Sequence, residues 1–441
     1  MPPMGNLQLT CYTPASVMAS ALSSVALILL GESHGRSSAT RAGELLHYTL
    51  PPDKLAQAHA LYRIDVSLYF ITTLYLFLVL WLMLRTRFGA SLRELADRTS
   101  RFWLVRAAVV IAGFLVTLEV LQLPFAIYRH HISLAYGLSV QQWGSWFGDS
   151  AKGLAVNLVA AVILGWVLYG VLRRSPHRWW FYFWLATIPF LLFAIFIQPI
   201  LIDPMFNKFE PLTNQHADLV EQIERVIHRA GMDIPPSRMF EMNASEKTTE
   251  LNAYVTGFGS SKRVVVWDTT MHHLSIPQTL FVFGHEMGHY VLGHLMKGFV
   301  FVEAMLLVLF YCSYRLANWL MQREGGAWGI RSLSDFASAP LLLLIFYVLS
   351  FATEPVFNSF SRHVEHEADI YGLEVIHGLV PDSQRTAAES FQILGERSLD
   401  YPYVGKFAEF WLWSHPTIAD REIFAQTYDP WAEGKQPTFV K

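Results

Sequence analysis

Long apolar runs separated by polar stretches dominate the chain. Ser67 to Leu84, Ala107 to Tyr128, Leu154 to Leu172, Trp179 to Ile202, Phe299 to Met321 and Pro340 to Phe357 each approach the ~20 residues that a helix needs to cross a bilayer. Trp and Tyr gather at their ends, as at Trp179, Trp180 and Trp319, where amphipathic rings suit the headgroup layer. A shorter run, Ala15 to Gly31, is rich in Ala and Ser. No Lys or Arg precedes Arg36, so it lacks the basic start of a cleaved signal and reads as a retained helix, the first of about seven. Glu119, Asn157 and Glu303 fall inside these runs. Polar groups at that depth usually face protein or a wet space, although Glu303, near a helix end, also fits an interfacial position.

The polar stretches carry a different periodicity. From Thr213 to Ala230, Leu219, Val220, Ile223, Val226, Ile227 and Ala230 fall on one helical face, and Gly231 supplies the stop. Arg238 to Met242, Leu251 to Phe258 and Arg263 to Asp268 read as a strand followed by a hairpin, closed by Gly259 to Lys262. A single helix is predicted from Ser275 to His294, with Ser275 and Gln278 spaced as a capping box and Pro277 in its first turn. After the last apolar run, Ser361 to Asp369 continues as helix. The expected organisation is an N-terminal membrane region (1–202), a soluble segment (203–298), two further spans (299–358) and a C-terminal segment (359–441). The fold class is a mostly α membrane protein with a small α+β domain.

Composition narrows the function. Hydrophobic residues make up 53% of the 441 and charged residues 16%, and the mean hydropathy is +0.30, which places the chain in a lipid bilayer. A net charge of −3 gives no basic field, and no nucleic-acid motif is present, so that class of partner is excluded. Cys11 and Cys312 supply neither a disulfide framework nor a thiolate metal site.

The chemistry centres on His285-Glu286-Met287-Gly288-His289. Residues four apart share a helical face, so the two imidazoles can reach one metal ion with Glu286 beside them. Zn²⁺ suits such ligands and in hydrolases keeps a coordination position for water. Candidates for a third ligand are Glu365 and Asp369, which share a face, while Glu367 points elsewhere. One carboxylate could bind the ion and the other orient a histidine; spacing does not choose between them. A metzincin is excluded, because Leu292 and Leu295 stand where that pattern needs Gly and His.

Several further stretches carry a family likeness: Leu123-Pro124 with Tyr128, Ile197 to Leu212, Asn252-Ala253-Tyr254 with Gly257-Phe258, Val266 to Thr269, Gly284 to His294, Ser361 through Asp369, and Ser414-His415-Pro416. From about Tyr62 to Glu422 the chain resembles the integral-membrane zinc endopeptidases of the CAAX prenyl protease family and, more distantly, the membrane heat-shock metalloproteases. The resemblance implies one Zn²⁺ per chain, with Glu365 as third ligand and Asp369 behind a histidine. It implies that Glu286 is the general base, that His415 and Arg421 stabilise the substrate carbonyl or tetrahedral intermediate, and that Asn252 and Ala253 pair with substrate backbone. It also implies spans enclosing a chamber and a polypeptide substrate, prenylated or otherwise membrane-associated. General cleavage of membrane or misfolded polypeptides is the alternative substrate reading. A transporter or channel would account for the buried polar residues but not for the metal-binding pattern.

Arg85, Arg87, Arg93, Arg98, Arg101 and Arg106, then Arg173, Arg174 and Arg178, then Arg323 and Arg331 occupy alternate connections. The positive-inside rule places these in the cytoplasm and both polar segments opposite. A bacterial inner membrane is favoured, or the endoplasmic reticulum membrane in a eukaryote, whose family members are implied to face the cytosol instead.

Overall fold

A computed structural model describes residues 46–214, 216–257 and 262–440. The apolar run from Ala15 to Gly31 and the hairpin tip around Ser260 lie outside the described residues. Within them, six helices are long and apolar enough to cross a membrane. Helix α1 (Pro52–Arg85) is followed by the short amphipathic α2 (Phe88–Thr99). Then come α3 (Trp103–Ala135), α4 (Trp143–Arg174) and α5 (Trp179–Ile197). A π-helical turn, Gln198–Ile202, and the single turn α6 (Asp203–Phe206) complete the fourth span. All of these long helices except α5 outrun their apolar stretches, because helical hydrogen bonding continues into the polar flanks. The run from Ser67 to Leu84, for example, sits within 34 helical residues.

The polar segment after the fourth span begins with β1 (Phe209–Pro211) and α7 (Ala217–Arg229). Helix α7 buries Leu219, Val220, Ile223, Val226 and Ile227, the stripe expected from sequence, and Gly231 ends it at φ +67°. Strands β2 (Met239–Met242), β3 (Ala253–Thr256) and β4 (Arg263–Trp267) join β1 in the order β1-β2-β4-β3. β2 runs parallel to β4, and β3 pairs with it antiparallel as the anticipated hairpin. Strand β3 therefore forms an edge.

A short α8 (Asp268–His273) leads into α9 (Ile276–Val291), which opens with the expected Ser275–Gln278 capping box. The single helix predicted to His294 is instead broken. Gly293 adopts φ +69°, and a new helix, α10 (His294–Glu324), starts immediately after it and enters the membrane. The left-handed conformation costs glycine no steric penalty. Helix α11 (Ala339–Ile376) runs unbroken for 38 residues from the last span into the polar region. It is followed by α12 (Ser383–Ser398), α13 (Lys406–Leu412) and α14 (Ile418–Thr427).

Two contacts fix the site. Helices α9 and α11 cross at close range through glycines: a Cβ on Gly284 would lie 2.8 Å from Val375, one on Gly288 2.9 Å from Tyr371, and one on Gly372 3.0 Å from the His285 nitrogen. Behind them, Phe281 meets Phe391 of α12 edge-on at 5.1 Å within an apolar core. In the membrane region, Glu303 is buried and accepts from Thr187 Oγ1 at 3.2 Å, while Trp184 Nε1 donates to the Glu303 carbonyl. It pins α5 to α10. Sequence reading also passed over a polar pair between spans, the Tyr69 hydroxyl donating to Glu354.

Candidate active site

Helix α9 presents His285, Glu286 and His289, and α11 presents Glu365 and Asp369. The glycine-lined crossing brings the two faces together. His285 Nε2 lies 3.3 Å from Glu365 Oε2, His289 Nε2 lies 3.5 Å from Glu365 Oε1, and the two Nε2 atoms are 3.1 Å apart. One donor atom from each of these residues falls within 4.8 Å of the others.

The far side of His285 is held by Asp369, whose Oδ1 is 2.9 Å from Nδ1. Asp369 is itself gripped by Arg421, with Nη2 at 2.6 Å and Nε at 2.9 Å. All three are buried. Arg421 is thus committed to the carboxylate, and its Nη2 also lies 3.5 Å from His285 Nδ1. His415 points its Nε2 at Glu365 Oε1, 3.2 Å away, and its Nδ1 meets Ser414 Oγ at 2.9 Å. Asn252 stands at the start of β3 and lines the same pocket as Glu286, Glu365, His415 and Arg421. Its Oδ1 accepts from the Ala253 N–H at 2.7 Å, and its own N–H donates to Thr270 Oγ1. All nine residues singled out by the sequence therefore lie in or beside one pocket, with Ala253 buried in β3 against Val266.

Two further residues enter that sequence reading did not use. His294 Nδ1 lies 3.0 Å from His289 Nδ1, and His294 Nε2 lies 3.0 Å from Glu367 Oε2. Glu367 does point away from the Glu365 face, as expected, yet it still connects to the metal-binding pattern through this histidine. Five residues beyond His289, a continuous helix would have turned His294 by about 500°, onto another face. The break at Gly293 was the missing signal.

The electrostatics favour a cation at the centre. His285 and His289 both direct Nδ1 at a partner, so their Nε2 lone pairs converge with the carboxylate of Glu365. Oε2 of that carboxylate is buried with no hydrogen bond among the described residues. Two imidazole nitrogens and a carboxylate converging on one point make a donor set suited to a divalent ion. Burial by itself would lower the His285 pKa, but Asp369 and Glu365 overcome it and raise the group to about 9. Burial also lifts the Glu286 carboxyl above its ordinary value and, against the pull of Glu365, holds His289 well below the usual imidazole range.

Residues 213–426 match peptidase family M48, and residues 36–208 match the family described as CAAX prenyl protease N-terminal, five membrane helices. A Bacillus subtilis protein described as uncharacterized metalloprotease YhfN is 33% identical over 374 residues, 84% of this chain and 85% of that one. The chain belongs to peptidase family M48. Another relative, the CAAX prenyl protease 1 homolog of Dictyostelium discoideum, is 31% identical over 275 residues, 61% of this chain and 59% of its own length. Among solved structures, S. mikatae Ste24p superposes with a TM-score of 0.72 at 19% identity, covering 85% of this chain and 88% of that one. That likeness establishes a shared fold. This M48 chain is accordingly an integral, multi-pass membrane metalloendopeptidase acting on polypeptide substrates. Its family implies a metal ion, and the converging donors fit one.

Proposed function

We propose that this M48 peptidase is a zinc endopeptidase in which His285, His289 and Glu365 hold one Zn²⁺, and that it cleaves membrane-tethered polypeptides, prenylated ones included. The observation that carries the reading is the convergence of these three donors, with ligand atoms within 4.8 Å of one another, on a pocket also lined by Glu286. When bound, the ion supplies Lewis acidity, polarising a carbonyl and acidifying water.

The chain's own groups do the rest. Glu286 takes the proton from the attacking water and returns it to the leaving amine, a role suited to a carboxyl raised by burial. His415 reaches into the pocket and donates Nε2–H to the scissile carbonyl oxygen as negative charge develops there. Arg421, bound through two nitrogens to Asp369, contributes mainly by fixing that carboxylate and through it His285. Substrate enters extended along the open edge of β3, where main-chain bonds supply affinity with little sequence selection. Asn252 Oδ1, which holds the Ala253 N–H at 2.7 Å, yields that donor to the incoming strand. The spans enclose a chamber around this site; faces of α4 and α5 with little internal burial support that arrangement. Names of relatives such as the CAAX prenyl protease 1 homolog motivate the prenylated substrate.

The test is metal analysis of the purified protein combined with cleavage of one peptide in farnesylated and unmodified forms. One zinc per chain, turnover of the farnesylated peptide and loss of turnover but not of zinc in Glu286→Gln are expected. Equal cleavage of both forms would remove the lipid requirement, and full activity of Glu286→Gln would overturn the mechanism.

A further inference from the structure

The two metal-facing imidazoles are anchored differently. His285 meets a carboxylate directly, with Asp369 Oδ1 at 2.9 Å from its Nδ1. His289 meets a second imidazole, His294 Nδ1, at 3.0 Å, and the other nitrogen of that ring lies 3.0 Å from Glu367 Oε2. His294 is only 6% exposed, so little water competes for these bonds. Lys297 stands 3.3 Å from Glu367 Oε2 and balances its charge, and His363 lies 3.6 Å from Oε1.

Proton positions along this chain are determined from one end. Glu367 Oε2 also faces the Lys297 ammonium, a donor with no lone pair, so this oxygen accepts, and His294 carries its proton on Nε2 and donates it there. With that proton on Nε2, His294 Nδ1 offers a lone pair and accepts from His289 Nδ1–H. That leaves His289 Nε2 as a lone pair aimed at the metal position. We propose that His294 and Glu367 are positioning residues that set the tautomer and ring orientation of His289 through an imidazole relay. The relay exists because Gly293, at φ +69°, breaks the helix and returns His294 to the face it would otherwise have left.

The proposal rests on the metal site proposed above, and its test reads metal affinity rather than turnover alone. The full chain, purified in detergent, is titrated with zinc against a chromophoric chelator, and its cobalt-substituted form is followed by visible absorption. Glu367→Met and Glu367→Gln have nearly the parent volume and both remove the charge, but only Gln keeps an acceptor for His294 Nε2–H. Glu367→Met is expected to weaken zinc binding by about 10- to 100-fold, the usual effect of removing a partner behind a metal-bound histidine, and to alter the cobalt bands. Glu367→Gln should restore both close to the parent. His294→Phe, which keeps a ring without nitrogens, should behave like Glu367→Met. Parent-like affinity in Glu367→Met and His294→Phe, while Glu365→Ala loses zinc, would overturn the relay alone. Equal losses in Glu367→Met and Glu367→Gln would also overturn it, assigning the effect to charge. A parent protein that binds no zinc would overturn the metal site and the relay together.

Discussion

Asp369 is the residue on which most of the site leans, because it receives His285 on one side and two Arg421 nitrogens on the other. Removing it frees the imidazole to rotate and leaves a buried guanidinium unpaired. Asp369→Ala is expected to lower metal affinity by about 10- to 100-fold, measured by zinc competition. Arg421→Gln should cost less, since Asp369 keeps its bond to His285. The double variant should be no worse than Asp369→Ala, because Arg421 acts through the carboxylate; additive losses would show that Arg421 contacts substrate independently. Glu365, by contrast, should be indispensable for metal. These contacts were only partly legible beforehand: four-residue spacing put Glu365 and Asp369 on one face but could not say which met the ion. Sequence reading placed Glu367 on another face, and its contact with His294 ties it to the histidine pattern nonetheless.

At the scale of elements, the crossing of α9 and α11 controls how close Glu365 comes to the two histidines. A Cβ at Gly288 would stand 2.9 Å from the Tyr371 side chain, and larger branches would force the helices apart. Gly288→Val should destabilise the fold by about 1–3 kcal/mol, the ordinary cost of overpacking, and reduce zinc stoichiometry at temperatures where the protein stays folded. Thermal unfolding with parallel metal analysis checks both. Milder damage is expected at the start of the same helix. Ser275→Ala removes one half of the capping box, a loss of about 1 kcal/mol, and should leave metal binding unchanged because the site lies two to three turns away.

Across the whole molecule, three basic connections meet at one end. Arg93 pairs with Asp335 at 2.5 Å, Arg87 Nε donates to the Ala327 carbonyl, and Tyr169 near the end of α4 donates to the Phe336 carbonyl. The peptidase segments leave the membrane from the opposite ends of the same spans. With the positive-inside rule, this arrangement predicts that the site faces away from the cytoplasm. In a chain stripped of its native cysteines, Arg385→Cys in α12 should react with a membrane-impermeant maleimide on intact cells. His177→Cys, between α4 and α5, should react only after permeabilisation, and the reverse pattern would invert the orientation. Metal should also stabilise the assembled fold, since an ion bound only by the native arrangement lowers its free energy. Chelation is therefore expected to depress the unfolding temperature of the parent protein but not that of Glu365→Ala.

Local rules in the sequence determined a good deal of this protein. Apolar length marked all six described spans, the capping box marked the start of α9, and the i,i+4 spacing of His285 and His289 fixed a shared face, because each depends on neighbours along the chain. Tertiary structure alone decided which carboxylate faces which nitrogen, since that follows from the glycine-mediated approach of two helices some 80 residues apart. It also decided that His294 turns back toward His289. One left-handed glycine interrupts a helix that periodicity would have continued, and helical periodicity carries no information about where a backbone leaves the helical region.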